Sequence, residues 1–146
     1  MASFGQWQYN CDREATAAAC ARTKVGYTES CTCNGCRNFV AARTKALPRS
    51  FVDLLNTLGV DPSKDAEIYH TARMAPGKHL YGGWYHFVGA LELTGDFAPV
   101  EMGEGFTAWM CRGASLCLAE LKGLPLVQIE LSATAVPWCL DEADAE

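Results

Sequence analysis

The chain lacks the features that mark nucleic-acid-binding, membrane and secreted proteins. Its formal net charge is −5 and its basic residues form no stripe, so we expect no nucleic-acid partner. No apolar run approaches the roughly 20 residues of a membrane-spanning helix, so we expect no membrane partner either. The N-terminus lacks the basic start and the apolar stretch of a secretory signal. Together these absences predict a cytoplasmic protein, in a compartment that keeps thiols reduced.

Signatures of common catalytic sites are missing as well. The sequence contains no Gly-Lys-Ser/Thr phosphate loop, no Gly-x-Gly-x-x-Gly nucleotide fingerprint and no Gly-x-Ser-x-Gly elbow. Internal repeats and linkers are also lacking. The length of 146 residues suits a single domain over 1–146, and we expect the acidic tail over 140–146 to be solvated and mobile. The sequence therefore leaves open whether the protein is an enzyme.

Periodicity predicts a helical first part and a strand-rich second part, with the change near Gly59. Asp12 is placed to cap a helix that runs to about Lys24. Residues 48–58 carry an apolar stripe at helical spacing, and Gly59 suits the end of that helix. Between these two helices, Asn38 is expected to cap a shorter one.

After Gly59, apolar and polar residues alternate in several stretches, which is typical of strands. The predicted strands span 66–74, 79–93, 106–112 and 126–133, and a short helix is predicted over 115–122. The first two strands are joined by a Pro-Gly turn. Hairpin links of this kind favour a mainly antiparallel sheet, with the helical N-terminal part and its cysteine knuckle packed on it. The predicted class is therefore α+β.

The densest group of reactive side chains is Cys31, Cys33 and Cys36, within one short bend of the chain. The Cys-x-x-Cys spacing of the last two suits a tetrahedral zinc ion, and Cys31 can supply a third thiolate. A closed structural site needs a fourth ligand, for which Cys20 is the first choice and Cys11 the second. We expect a structural zinc rather than a catalytic one, because catalysis needs an open coordination position and a nearby base.

Two other interpretations of this group stay open. Cys33 and Cys36 can form a redox-active dithiol, although no βαβ pattern surrounds them. All three can also be inert buried thiols, since free cysteine is among the most buried residue types. The isolated cysteines Cys111, Cys117 and Cys139 are interpreted as core or half-buried thiols.

The predicted hairpin brings aromatic and titratable residues together. With regular pairing from its tight turn, Tyr69 faces Trp84 and Glu67 faces His86, all on one side of the sheet. These four residues are a candidate polar face, in which the His-Glu pair can act as acid and base or hold a metal weakly. The alternative, which we favour, is an ordinary amphipathic sheet. A bulge at residues 82–83 would move Trp84 and His86 to the opposite side. The remaining histidines, His70 and His79, are interpreted as structural.

Two stretches of the sequence are similar to a family of small bacterial proteins of unknown function. They are Cys31-x-Cys33-x-x-Cys36-x-Asn38-Phe39 and the segment from Lys78 to Gly89, supported by residues 126–130 and by Pro137-Trp138. The resemblance covers most of the chain after Cys31 and implies no activity for any residue.

The sequence thus favours a small binding or interaction protein with a structural zinc knuckle. Its partner would be a protein or a small molecule. The alternatives are a small metal- or thiol-dependent enzyme and a redox or metal sensor, each using the cysteine group.

Overall fold

The computed structural model describes residues 1–113 and 116–144. It has a seven-stranded antiparallel sheet, with helices concentrated in the N-terminal part of the chain, which confirms the α+β class. Within the described ranges, no helix combines the length and the apolar character needed to cross a membrane.

The helices are α1 (Arg13–Arg22), α2 (Tyr27–Ser30), α3 (Asn34–Ala46) and α4 (Arg49–Leu58), and a 3-10 turn spans Ala119–Leu121. The strands are β1 (Ala2–Phe4), β2 (Trp7–Cys11), β3 (Glu67–Ala75), β4 (Lys78–Leu93), β5 (Val100–Gly103), β6 (Phe106–Cys111) and β7 (Leu126–Pro137).

The long strand β4 organises the sheet. The strand order is β1-β2-β4-β7-β6-β5, and β3 also pairs with β4. One stretch of β4 therefore pairs with β3 and another with β2, while β7 covers the opposite edge. The sheet as a whole consists of neighbouring antiparallel pairs, as the hairpin pattern predicts.

The core lies between one face of this sheet and the helices α3 and α4. Alternate residues of β4, β6 and β7 point into it, which is the period-two pattern expected of strands that are buried on one face. Its largest fully buried side chains include Phe39, Phe51, Leu55 and Leu58 from the helices, and Tyr81, Tyr85, Phe87, Ile68 and Ile129 from the sheet. A smaller cluster joins Ala19 of α1 to Val88 and Leu121.

Local capping explains why two of the predicted helices form where they do. The side chain of Asp12 accepts a hydrogen bond from the backbone N–H of Ala15 (3.0 Å) at the start of α1. Gly59 ends α4 in the left-handed conformation, with φ of 80°, and the N–H of Val60 donates to the carbonyl of Leu55 (2.8 Å). Both predicted helices are confirmed.

The N-terminal strands and β5 were not predicted from the sequence. Trp7 and Tyr9 are each 3% exposed and alternate with exposed Gln8 and Asn10. This alternation is the signal that could have predicted β2. The opening part of the chain is therefore not wholly helical.

Two predicted helix positions need correction. Asn38 lies inside α3, which begins four residues earlier, because the sulfur of Cys33 caps this helix instead. The helix predicted over 115–122 is only the 3-10 turn Ala119–Leu121, and Ser115 lies outside the described residues.

The pairing predicted for the β3–β4 hairpin is wrong. Register shifts between residues 70 and 72, and again between 73 and 75, each add one residue to β3. As a result Glu67 lies opposite Trp84 and not opposite His86. Because the total shift is two residues, Glu67 and Trp84 still project from the same face of the sheet, as predicted.

Gly82 and Gly83 do not form a bulge in β4; they let β3 lie close to β4. The β3–β4 register is unbroken across them. A Cβ atom on Gly83 would lie 2.3 Å from the carbonyl oxygen of Glu67 and 2.6 Å from Cδ1 of Ile68. The absence of a side chain at Gly83 thus lets the β3 backbone lie close to β4 at this position.

Candidate metal centre

The start of α3 brings three sulfur atoms together. Cys33 is the residue that caps the helix, Cys36 lies in its first turn, and Cys31 directly follows α2. The Sγ atoms of Cys31, Cys33 and Cys36 all lie within 4.8 Å of one another. The sulfurs of Cys31 and Cys33 are separated by 3.3 Å. We call these three residues the cysteine trio.

The local backbone explains why the sulfurs converge. The N–H of Cys36 donates to the sulfur of Cys33 (3.4 Å), so the helix start itself holds the two thiols of the Cys-x-x-Cys segment close together. Gly35 lies between them, where a Cβ atom would come within 3.0 Å of the Cβ atom of His70. A glycine here lets β3 pack closely against the first turn of α3.

The members of the trio differ in exposure and in acidity. Cys33 is exposed, Cys31 is half-buried and Cys36 is buried. The hydrogen bond from the N–H of Cys36 lowers the pKa of Cys33, against the opposing effect of partial burial. Burial, reinforced by the neighbouring sulfurs of Cys31 and Cys33, raises the pKa of Cys36. Without a cation, Cys33 therefore ionises at a lower pH than Cys36.

Three converging thiols are a suitable ligand set for a metal ion. Thiolate sulfur is a preferred ligand of zinc and of other soft or borderline cations. A bound cation would favour ionisation of all three thiols, including Cys36, and its binding would release protons. The trio can thus hold a metal ion.

The structure does not bring the predicted fourth ligand to the trio. Cys20 is buried on α1, where it interacts with Asp61 and Lys64. The second choice, Cys11, donates a hydrogen bond to the carbonyl of Leu58 (3.4 Å). Among residues 1–113 and 116–144, the trio has no further His, Cys, Asp or Glu ligand atom within its 4.8 Å spacing.

The residues of the predicted polar face separate into two groups. Glu67, Tyr69 and Trp84 remain neighbours, and the rings of Tyr69 and Trp84 meet edge to face with centroids 6.3 Å apart. His86 is only 3% exposed and lies elsewhere on the same face. The predicted His86–Glu67 pair is therefore not formed, because the register shifts move Glu67 away from it.

His86 belongs instead to a buried polar chain. Its Nε2 atom lies 2.9 Å from Oε1 of Gln128 and 3.0 Å from the carbonyl oxygen of Gly113. The Gln128 amide donates to Glu130, and the thiol of Cys111 donates to the same carboxylate (3.6 Å). Burial lowers the pKa of His86 despite these acceptors. A neutral imidazole that donates from Nε2 fits the two oxygen atoms that face it.

The two remaining histidines form a contact that the sequence did not indicate. Nε2 of His70 lies 2.8 Å from Nδ1 of His79, which is fully buried beneath the ring of Trp138. The other ring nitrogen of His79 lies 3.5 Å from the carboxylate of Asp144. Both residues lie on the β3–β4 hairpin, whose two register shifts place His70 opposite Tyr81, two residues from His79. The regular pairing expected from the sequence would place His70 opposite Gly83, so it did not indicate the contact.

The C-terminal segment is fastened to the helix that carries the trio. The buried Asn38 amide donates to the carbonyl of Pro137 (3.0 Å), and its oxygen accepts from the N–H of Cys139 (2.6 Å). Arg37 forms an ion pair with Glu142 (2.7 Å). The indole N–H of Trp138 also donates to the carbonyl of Glu142 (2.9 Å), which further anchors this segment.

Comparisons with protein-family models, with curated proteins and with solved structures found no match to this chain.

Proposed function

We propose that this protein is a small binding or interaction protein in which Cys31, Cys33 and Cys36 hold a zinc ion. The observation that carries the proposal is the convergence of three sulfurs within 4.8 Å at the start of one helix. Zinc is the cation that such a thiolate set most often holds in a structural role. The ion would fix the connection between α2 and α3.

The surroundings of the trio support a bound cation. Three thiolates repel one another. Burial is the main cause of the raised pKa of Cys36, and the neighbouring sulfurs of Cys31 and Cys33 raise it further. The N-terminus of α3 carries a partial positive charge that offsets only part of this repulsion. A bound divalent cation would offset the remaining repulsion between the thiolates. Because no fourth protein ligand reaches the trio among the described residues, water or another small ligand would complete the coordination, and this open position differs from the closed site expected from the sequence.

Metal analysis tests this proposal directly. Protein purified under reducing conditions should contain one zinc ion per chain, and cobalt substitution should give the absorption bands of thiolate coordination. The Cys33→Ser variant should lose most of both signals. Cys139→Ser is the matched control, because Cys139 is also exposed but is not part of the trio. Equal zinc contents in the Cys33→Ser variant and the unmodified protein would overturn the proposal.

A second candidate function is dithiol exchange, and the asymmetry of the Cys-x-x-Cys pair favours it. Cys33 is exposed and accepts a hydrogen bond at a helix start, whereas Cys36 is buried beside it. The Cys33 thiolate would attack a substrate disulfide and release one substrate thiolate. Cys36 would then lose its proton and attack the Cys33 sulfur, which forms the Cys33–Cys36 disulfide and releases the second substrate thiolate.

Trapping distinguishes this function from metal binding. With a disulfide such as oxidised glutathione, the metal-free protein should form a Cys33–Cys36 disulfide, seen by mass spectrometry as the loss of two hydrogens. The Cys36→Ser variant should instead retain a mixed disulfide on Cys33. A protein that accumulates only mixed disulfides, with and without this substitution, would exclude dithiol exchange.

A further inference from the structure

We infer that a groove lined by Tyr27 and Glu67, with Tyr69 and Trp84 next to Glu67 on the sheet, binds a small organic cation of the alkylammonium class. The inference rests on the proposed binding role of the protein, and it is independent of the metal, because none of the trio lines the groove. It uses three of the residues that the sequence predicted as a polar face, without His86.

The groove has the size and lining of a small-ligand site. Its volume is about 340 Å³, and its walls come from α2, from the start of β3 and from residues 116–119. Most of the lining is apolar, including the exposed side chains of Val25, Tyr27 and Leu116. Three exposed apolar side chains around one concave surface form a patch of the kind that marks binding sites.

Glu67 is the one charged residue that lines the groove. It is half-buried, and within the described parts of the chain its carboxylate forms no ion pair and no side-chain hydrogen bond. A carboxylate without a partner in an apolar groove favours a cationic ligand, because a neutral or anionic occupant would bury its charge uncompensated. The lining contains neither lysine nor arginine to compete for it.

Two aromatic residues neighbour Glu67 on the same face of the sheet. Trp84 lies directly opposite Glu67, and Tyr69 meets the Trp84 ring at an interplanar angle of 65°. Tyr27, which lines the groove, is 38% exposed, and Tyr69 is 45% exposed. Ring faces attract organic cations through their quadrupoles, and an adjacent carboxylate adds direct charge attraction.

The rings are held in place before any ligand arrives. The Trp84 indole N–H donates to the carbonyl of Leu116 (3.0 Å), which ties this ring to a wall of the groove. The Tyr69 ring lies across Gly82, where a Cβ atom would come within 2.6 Å of the phenol oxygen. Rings that are already oriented lose little conformational freedom on binding, and this favours affinity.

The chemistry of the groove favours an organic cation over metal ions and anions. A calcium or magnesium ion needs about six oxygen ligands, and the groove offers a single carboxylate. An anion would be repelled by Glu67. An alkylammonium ion can place its charge beside Glu67 and its methyl or methylene groups on the rings and the apolar walls.

Titration with choline, followed by two-dimensional NMR, tests the inference. Choline should shift the indole resonance of Trp84 and the backbone amides of Tyr27 and Leu116 in a saturable way. Its neutral isostere 3,3-dimethyl-1-butanol should bind at least tenfold more weakly, because it has the same shape without the charge. The Glu67→Gln variant should lose at least tenfold in choline affinity while it keeps its Tm.

Glu104→Gln is the matched control, since Glu104 is exposed on the turn between β5 and β6, away from this groove. It should bind choline as the unmodified protein does. Equal binding of choline and its isostere, unchanged affinity in Glu67→Gln, or no saturable shift would each overturn the inference. Choline binding by a protein that holds no zinc would support the inference while the metal proposal fails, so the two failures are distinguishable.

Discussion

At the scale of single residues, the position of Cys33 changes the chemistry of its thiol. The hydrogen bond from the N–H of Cys36 lowers the pKa of Cys33, while burial raises that of Cys36. In the metal-free protein at pH 7, iodoacetamide should therefore modify Cys33 about ten times faster than Cys36. Peptide mapping by mass spectrometry at successive times measures the two rates.

The pH profile of this reaction has a defined sign. The rate at Cys33 should rise through a pKa below the ordinary thiol value of 9.0, since the thiolate is the reacting form. Bound zinc should suppress the reaction at both residues. Equal rates at Cys33 and Cys36 in metal-free protein would contradict the predicted asymmetry.

At the scale of elements, the short helix α2 depends on a single buried carboxylate. Asp65 is fully buried, and it accepts hydrogen bonds from both the backbone N–H and the hydroxyl of Thr28. Its backbone carbonyl also accepts from the N–H of Tyr27 (3.0 Å). An isolated helix of four residues is not stable in water, so these bonds fix its position.

Replacing Thr28 by valine tests this attachment. The substitution keeps the shape of the side chain but leaves one oxygen of the buried Asp65 carboxylate without its hydroxyl partner. We expect the free energy of unfolding to fall by about 1–3 kcal/mol, measured by urea denaturation. Ser30→Ala, which removes an exposed hydroxyl from the same helix, should change it by less than about 0.5 kcal/mol. Similar effects of both substitutions would refute the anchoring role of Asp65.

Elements with strong local signals could be predicted from the sequence, and those set by distant contacts could not. Asp12 and Gly59 act through atoms a few residues away, and the helices they bound are confirmed. The shifts in β3 and the placement of Cys20 depend on strands and helices that meet only in the folded protein. Local spacing likewise predicted the convergence of the trio, since all three sulfurs belong to one bend.

Asn38 shows how the same residue type can serve a different purpose from the one its propensity suggests. Asparagine is favoured at helix starts, which is the role predicted for it. In the structure it is buried within α3 and connects this helix to Tyr81 and to the C-terminal segment. Its partners are about 40 and 100 residues away along the chain, beyond the reach of any local pattern.

At the scale of the whole molecule, two histidines make stability depend on pH. Burial lowers the pKa of both His70 and His86 below the ordinary value of 6.5. Above pH 6.5 the folded and unfolded forms are both neutral at these residues. Below it the unfolded chain takes up protons that the folded protein does not, so stability falls as the pH falls.

Urea denaturation between pH 7.5 and pH 5 measures this dependence. The free energy of unfolding should decrease across the range, and His86→Gln should decrease less steeply because one of the two titrating groups is gone. His70 contributes to the slope that remains in this variant. A variant whose slope equals that of the unmodified protein would show that His86 has the same pKa in the folded and unfolded states.

The long strand β4 also has a consequence for how the chain acquires its structure. It pairs with β2 near the beginning of the sequence, with β3 in the middle and with β7 near the end. Contacts between such distant segments slow folding, because the chain loses the entropy of closing large loops before the contacts that compensate for it have formed. On the ribosome, β4 therefore keeps one edge unpaired until residues 126–137 leave the exit tunnel, and during this interval the exposed edge is open to pairing with other chains.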